Sequence, residues 1–352
     1  MVGSMLITIK AKGKYTFSLH IDRNLTLITG ESGTFKTLMI NTILASKQDK
    51  KYFSVEVETK EFDKSAVTVD VLTPNSDWDS IISKSKNCVF FIDECASYVY
   101  TREFASVVKF SDNYFVIVNR HISRLNTLPI ALSEVYELVA TDLDDKKGKL
   151  IKNVEHFKSV PVVTTSTIYN SVLTEDRKSG YQLMSAILSY KHSNIPCESA
   201  NGKDNIVSKV VDMPHPCVVV ADRAAFGISY YAIDSDINTK EKLGKDIYFW
   251  LPESIEYFML FSMLFKNFEK SNKASDLYKT LINSLVQPEV DSTKFFSWEN
   301  YYTFCIGVLL SEIGVSTDTK YTYNKSTLPS ILKTDERLEE FARLLPFIIQ
   351  ED

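Results

Sequence analysis

The chain has 352 residues, of which 44% are hydrophobic and 24% are charged, and its formal net charge is −5. This composition is ordinary for a folded protein, and because domains typically have ~100–200 residues, we expect two domains, or one domain with a helical extension. The negative charge excludes a general attraction to nucleic acid, so any such contact must use a local basic surface. The five cysteines form no C-x-x-C pair, which argues against a zinc cage and a disulfide framework.

The first part of the chain alternates short apolar runs with helical patterns. Strands are predicted at 6–9, 15–19, 25–29, 67–72, 88–92, 114–118 and 135–139. Helices are predicted at 38–44, 78–83 and 104–110. Such alternation implies a parallel α/β sheet. The polar stretch 142–152 is rich in Lys and Asp, and we expect the first domain to end there.

Strand–helix alternation resumes after this stretch and gives way to a helical, aromatic-rich pattern at Glu253. Strands are predicted at 160–165, 171–173, 195–199, 217–221 and 247–251, and helices at 181–189 and 206–211. Three regions are therefore expected, at 5–150, 151–255 and 256–352. The sequence shows no leader pattern and no apolar run long enough to span a bilayer, so we expect a cytoplasmic protein without a membrane partner.

A glycine-containing turn between the predicted strand 25–29 and the next helix carries the strongest signal. Its residues are Gly30, Glu31, Ser32, Gly33, Thr34, Phe35, Lys36 and Thr37. This is the pattern of a P-loop, in which backbone N–H groups wrap a phosphate at a helix N-terminus. Lys36 is expected to reach the outer phosphates and Thr37 to join the Mg²⁺ shell. Phe35 departs from the pattern, which has glycine before the lysine, so a simple helix-capping turn is the alternative.

A second motif supports the nucleotide interpretation. The apolar run 88–92 ends in Asp93 and Glu94, as a Walker B strand does, with room for one strand and helix after the loop. Asp93 is expected to hold Mg²⁺, and Glu94 to polarise the attacking water. The next strand ends at Asn119, a candidate sensor of the γ-phosphate, and Arg120 or Arg124 is a candidate arginine finger across a subunit interface. Ordinary strand-end residues are the alternative for these three.

With these motifs, residues 5–141 resemble the P-loop ATPases that carry a catalytic glutamate beside the Walker B aspartate. The resemblance implies a parallel-sheet nucleotide-binding fold, with ATP and Mg²⁺ as cofactors. The chain has no LSGGQ-type signature, which makes a transporter-type ATPase unexpected.

The second half places acids after two predicted strands, Glu175 after the first and Asp222 after a later one. With the turn around Gly202, this order resembles a Toprim domain, which implies that Glu175 and Asp222 are Mg²⁺ ligands. Ala224 departs from the family's Asp-x-Asp. The acids that could substitute are Asp176, Asp234, Asp236, Glu253 and Glu256. An unrelated α/β domain with solvated strand-end acids is the alternative.

Two further groups bear on nucleic acid. The basic residues near these acids, which could bind a phosphate backbone or simply be solvated, are Arg177, Lys178, Lys203, Lys209 and Arg223. The aromatic run 295–302 could stack on bases, although a core or protein-interface role is more common for such a run.

The favoured function is ATP hydrolysis coupled to work on nucleic acid. An ATPase joined to a Toprim-like domain resembles the overcoming-lysogenization-defect type of nuclease seen in phage conflict, which implies a metal-dependent nuclease site in the second half. One rival is an ATP-driven motor or assembly ATPase without nuclease chemistry, which would form rings as a homo-oligomer or act with a partner protein. The other is a nucleotide-dependent switch that binds without turnover, unchanged by Glu94→Gln.

Overall fold

The computed structural model describes most of the first two thirds of the chain and a short C-terminal part. The described residues are 4–30, 32–59, 67–109, 111, 113–131, 134–144, 149–156, 167–223, 226–231, 233, 246–252, 332–333 and 335–347. The described residues fall into two compact units, one up to His156 and the other from Thr167 onward. Both units are mixed α/β structures with parallel strands and several helices. Within the described residues, no helix has the length and apolar character needed to cross a bilayer.

The first unit contains nine described strands and three described α-helices. The strands are β1 (Met5–Ala11), β2 (Tyr15–Ile21), β3 (Leu25–Thr29), β4 (Phe53–Glu58), β5 (Thr68–Leu72), β6 (Cys88–Ile92), β7 (Tyr114–Val118), β8 (Val135–Asp144) and β9 (Lys149–His156). The helices are α1 (Lys36–Gln48), α2 (Trp78–Lys84) and α3 (Arg102–Lys109), with 3₁₀ turns at Ser97–Tyr100 and Ile122–Leu125.

All nine strands join one sheet in the order β4-β1-β2-β9-β8-β3-β7-β6-β5. The run from β8 to β5 is parallel, whereas β1 pairs antiparallel with both β2 and β4, and β8 with β9. Every residue of β3, β6 and β7 is buried. Such continuously apolar strands are typical of the centre of a parallel sheet covered on both faces.

The buried face that supports α1 is built from strand residues of both halves of the sheet. Met39, Ile40 and Ile43 of α1 pack in one cluster with apolar side chains of the strands, including Phe17 and Phe91. Burial of a side chain of this size contributes roughly 1.5–3 kcal/mol. The cluster therefore fixes α1 firmly on the sheet, and with it the turn that enters the helix.

The second unit has a smaller sheet of four parallel strands in the order β11-β10-β12-β13. The strands are β10 (Ser171–Thr174), β11 (Cys197–Ser199), β12 (Cys217–Val220) and β13 (Ile247–Trp250). Helices described in this unit include α4 (Ser179–Tyr190), α5 (Ile206–Val210) and α6 (Asp335–Arg343). An ion pair of 2.9 Å between Lys191 Nζ and Glu339 Oε2 links the end of α4 to α6.

The predicted strands and helices of the described regions are confirmed, with bounds that differ by a few residues. Two strands were not predicted, β4 and β9, and β8 is longer than expected. The polar stretch that we expected at the domain boundary instead contains the last residues of β8 and the first residues of β9. These two strands pair antiparallel, with Asp144 opposite Lys149. The predicted strand 160–165 and most of the region from Glu253 lie outside the described residues, and the three region limits stay predictions.

Candidate functional site

The turn between β3 and α1 has a backbone with several left-handed residues. Gly30 has a φ of 129°, Gly33 of 86° and Phe35 of 67°, the last with a ψ of 15°. Only glycine adopts such conformations without a steric cost, and a left-handed residue with a Cβ costs about 1–2 kcal/mol. The turn therefore keeps a left-handed backbone at position 35, even though Phe35 stands there instead of the expected glycine. Glu31 lies outside the described residues.

Lys36 is the first residue of α1, and its side chain crosses back over the turn. The ammonium donates to the carbonyl of Gly30 at 2.6 Å and to the hydroxyl of Thr34 at 2.8 Å. The residue is only 8% exposed, and this burial lowers the pKa of Lys36, while Glu94 opposes the shift. The positive charge of Arg120 adds to the lowering of this pKa, whereas Glu137 and Asp93 oppose it.

The two acids after β6 are half-buried and have different contacts. Asp93 accepts a hydrogen bond of 2.6 Å from the backbone N–H of Glu94. Glu94 is bound by Arg120, whose Nε donates to Oε2 at 2.8 Å and whose second nitrogen donates to Oε1. Hydrogen bonds from Arg120 hold the pKa of Glu94 below its ordinary value. The candidate base and the candidate arginine finger are thus bidentate partners in the same chain.

Asn119 follows β7 directly and is fully buried. Its amide nitrogen donates to the Tyr100 hydroxyl at 2.7 Å, and its amide oxygen accepts from the backbone N–H of His121 at 2.7 Å. These two bonds fix the orientation of the amide. Arg124 is exposed on the 3₁₀ turn that follows.

Sheet order explains why these residues gather. β3, β7 and β6 are consecutive parallel strands, so the residues after their carboxyl ends share one edge of the sheet. Thr37 lies exposed in the first turn of α1, next to that edge. In the described part of the chain, no three Asp, Glu, His or Cys side chains form a ready-made metal site. Asp93 with Thr37 still suits Mg²⁺, which typically takes one or two protein ligands and completes its shell with phosphates and water.

The acids of the second unit follow neighbouring strands. Glu175 comes directly after β10, and its backbone N–H donates to Val220, the last residue of β12, at 2.9 Å. Asp222 comes two residues after β12. Both residues are half-buried at the carboxyl edge of the sheet. The loop after β11 also closes on this edge, because the N–H of Gly202 donates to the Glu175 carbonyl at 2.8 Å.

Asp176, one of the possible substitute acids, has a structural task. One carboxylate oxygen accepts from the backbone N–H groups of Gly180 at 2.9 Å and Tyr181 at 3.3 Å, and the other accepts from the Ser179 hydroxyl at 2.8 Å. A Cβ on Gly180 would lie 2.8 Å from that carboxylate, so glycine permits the approach. Asp176 therefore caps α4. Ala224, the other substitute acids Asp234, Asp236, Glu253 and Glu256, and the aromatic run 295–302 lie outside the described residues.

The basic residues of the second unit separate into two groups. Three strand ends of the carboxyl edge are followed by exposed or half-exposed cations, namely Arg177, Lys178, Lys203 and Arg223. Lys209 lies on α5 and pairs with Glu198 of β11 at 3.5 Å.

Comparisons with known proteins add little. No family model matches the chain, and no curated protein matches it. Among solved structures, the C-terminal region of the Xanthomonas campestris pv. campestris OLD protein is similar at 11% identity and a TM-score of 0.23, covering 50% of this chain and 95% of that one. A likeness this small indicates no function.

Two residues of the first site were not predicted. Glu137 of β8 lies in register with Thr29, the last residue of β3, and faces the phosphate loop. In the sequence, Glu137 is marked only by its position in the last strand predicted for the first domain. That position does not show which strands lie beside it, so its closeness to the loop could not be predicted. Tyr100, the partner of Asn119, lies in a 3₁₀ turn that has no clear periodic pattern.

Proposed function

We propose that the first unit binds and hydrolyses ATP, and that the chain couples this reaction to work on nucleic acid. The observation that carries the proposal is the gathering of Lys36, Glu94 and Asn119 at one sheet edge, next to a turn with left-handed residues at Gly30, Gly33 and Phe35. The buried ammonium and the adjacent acids are the groups that phosphoryl transfer to water requires.

Binding uses the turn and the start of α1. Backbone N–H groups between Gly30 and Lys36 surround the phosphates, and the Lys36 ammonium leaves Gly30 and Thr34 to contact the outer ones. Thr37 and Asp93 would hold Mg²⁺, which on binding neutralises part of the phosphate charge.

Hydrolysis uses the acids and Asn119. Water attacks the γ-phosphorus while the bond to the β–γ bridging oxygen breaks, which yields ADP and inorganic phosphate. Glu94 takes up the proton that the water loses. Asn119, whose amide is fixed by Tyr100 and His121, would orient the water or a γ-phosphate oxygen.

The pair between Glu94 and Arg120 defines a resting state in this mechanism. A carboxylate that accepts from both arms of a guanidinium is a poor base, and its pKa is lowered accordingly. Turnover requires the pair to separate. The γ-phosphate supplies the competing anion, so Arg120 moves to the developing charge as Glu94 becomes available.

Phosphate release from ATP tests this proposal, with Glu94→Gln as the variant. The substitution preserves shape and removes the base, so turnover is expected to fall by about 10²–10⁴-fold while ATP binding remains. Glu56→Gln is the control, because it removes the same charge from β4 at the far edge of the sheet. Wild-type binding without turnover would favour the nucleotide switch instead.

For the second unit we propose metal-dependent cleavage of nucleic acid, with Glu175 and Asp222 as the acids. The supporting observation is that they follow the two central parallel strands, β10 and β12. Carboxylates at such an edge suit a hard cation, which would stabilise charge on a scissile phosphate. The cations that follow the same strand ends suit the phosphate backbone.

Cleavage of plasmid DNA with Mg²⁺ or Mn²⁺, with and without ATP, tests the second site. The double variant Glu175→Ala/Asp222→Ala is expected to abolish cleavage. Its control is Asp212→Ala/Asp246→Ala, which removes two exposed acids that precede β12 and β13 and so lie towards the opposite edge. Absence of cleavage by the wild type under every condition would favour a motor or assembly ATPase.

A further inference from the structure

Glu137 belongs to a strand that lies beside the phosphate loop and supplies none of the residues used above. β8 pairs in parallel with β3, and Glu137 is opposite Thr29, one residue before Gly30. A Cβ placed on Gly30 would lie 3.6 Å from Cγ of Glu137 and 3.7 Å from Nζ of Lys36. The acidic side chain and the ammonium therefore both lie close to Gly30.

The other two acids near Lys36, Asp93 and Glu94, follow a different strand and have other proposed roles. Asp93 and Glu94 follow β6, two strands away from β3 on the other side, and Glu94 is bound by Arg120. Among the acids, Glu94 acts most strongly on the Lys36 ammonium, and the half-buried Glu137 acts next in the same direction, which favours the charged form. A buried ammonium needs such a counter-charge when phosphate is absent.

We propose that Glu137 is the resting counter-ion of Lys36, a positioning residue that helps to hold the ammonium over Gly30 and Thr34 and that a nucleoside triphosphate must outcompete. This inference rests on the proposed nucleotide-binding function. Binding transfers Lys36 from a carboxylate to the outer phosphates, so the carboxylate lowers the affinity for a ligand to the extent that its phosphates engage the ammonium. Glu137 thereby tunes how strongly the loop retains triphosphate over diphosphate.

The binding experiment uses a non-hydrolysable ATP analogue and ADP, with calorimetry on the full chain. Glu137→Gln is expected to tighten binding of the triphosphate about fivefold and of ADP less. In a Lys36→Met background the same substitution is expected to change the affinity little, because the competition requires the ammonium. Glu56→Gln is the charge-matched control. Unchanged or weaker triphosphate binding by Glu137→Gln, or an equal gain in the Lys36→Met background, overturns the inference.

A second measurement needs no nucleotide and separates this inference from the proposed function. Urea unfolding of the wild type, Glu137→Gln, Lys36→Met and the double variant forms a double-mutant cycle. We expect the double variant to lose less stability than the two single losses combined, since each single variant leaves one member of the pair behind. Additive losses overturn the pairing. If the wild type binds no nucleotide, the proposed function fails, and this cycle alone decides whether Glu137 and Lys36 are partners.

Discussion

Each unit contains a parallel strand that leads through a short turn into a helix. The two helices, α1 and α4, differ in what caps their N-terminal N–H groups. In the first unit, α1 begins after a left-handed Phe35, with no acid in its first turn and no side-chain hydrogen bond from its capping residue. In the second unit, Asp176 reaches over the start of α4 and accepts from two of its backbone N–H groups. The N–H groups at a helix start need partners, and a capping carboxylate is one way to supply them.

This difference indicates where an anion can bind. The start of α1 combines helix N–H groups with the Lys36 ammonium, whereas the start of α4 is already neutralised by the chain's own carboxylate. The same local topology thus suits a phosphate site in one unit and a closed structural turn in the other. In the second unit, the candidate chemistry lies in Glu175 and Asp222, at the strand ends rather than the helix start.

The largest effect expected from this comparison is on ATP binding. Lys36→Met removes an ammonium that makes charge-assisted hydrogen bonds with phosphate, so affinity is expected to fall at least about 100-fold. Lys178→Met is the matched control, because Lys178 stands at the start of α4 but is exposed there. Calorimetry with the ATP analogue measures both. If the two variants lose affinity for the ATP analogue equally, the α1 turn does not bind the phosphates in the way proposed.

Removing the cap of α4 is expected to have a smaller effect, and the effect is on stability. Asp176→Ala removes the carboxylate that caps Gly180 and Tyr181 and is expected to lower the free energy of unfolding by about 1–2 kcal/mol. Urea denaturation measures the loss, with Asp212→Ala, an exposed acid of the same unit, as the control. ATP affinity should remain unchanged. A shift no larger than that of the control would mean that α4 does not depend on this cap.

The sequence predicted the strands and helices around both turns because each one carries a continuous apolar run or a helical period, as in β6 and α4. It also placed Glu94 and Asn119 after strand ends and Lys36 in the turn that follows β3, and the parallel order brings those ends together. Glu137 could not be found in this way. Which strand lies beside β3 is decided by tertiary packing, and β8 continues into a hairpin whose polar residues looked like a linker. The sequence offered Asp176 only as a possible substitute acid, because a capping role depends on the positions of the Gly180 and Tyr181 N–H groups.

Phe35 offers a test of strain at the α1 turn, with a smaller expected effect. The residue has a φ of 67° and is 41% exposed, so its backbone is unfavourable and its ring is only partly packed. Phe35→Gly removes the Cβ, and Phe35→Ala removes the ring but keeps the Cβ. We expect the glycine variant to be more stable than the alanine variant by about 1 kcal/mol, after allowing for the greater freedom of unfolded glycine. Chemical denaturation without nucleotide compares the two. A glycine variant no more stable than the alanine variant would contradict strain at this position.

The smallest effect expected is a pH dependence that belongs to the first unit. Arg120 holds the pKa of Glu94 below its ordinary value of 4.5, so the folded state binds this proton less readily than the unfolded state. The pair therefore contributes stability above the ordinary pKa, and this contribution is lost as the pH falls through the lower, folded-state pKa. Arg120→Met is expected to give a small reduction of the urea midpoint at pH 7 that disappears in acid. Arg124→Met, which removes an exposed arginine from the following turn, should show no such pH dependence. A difference between Arg120→Met and wild type that stays constant across the acid range would show that Glu94 is not its partner in solution, and the resting state built on this pair would have to be abandoned.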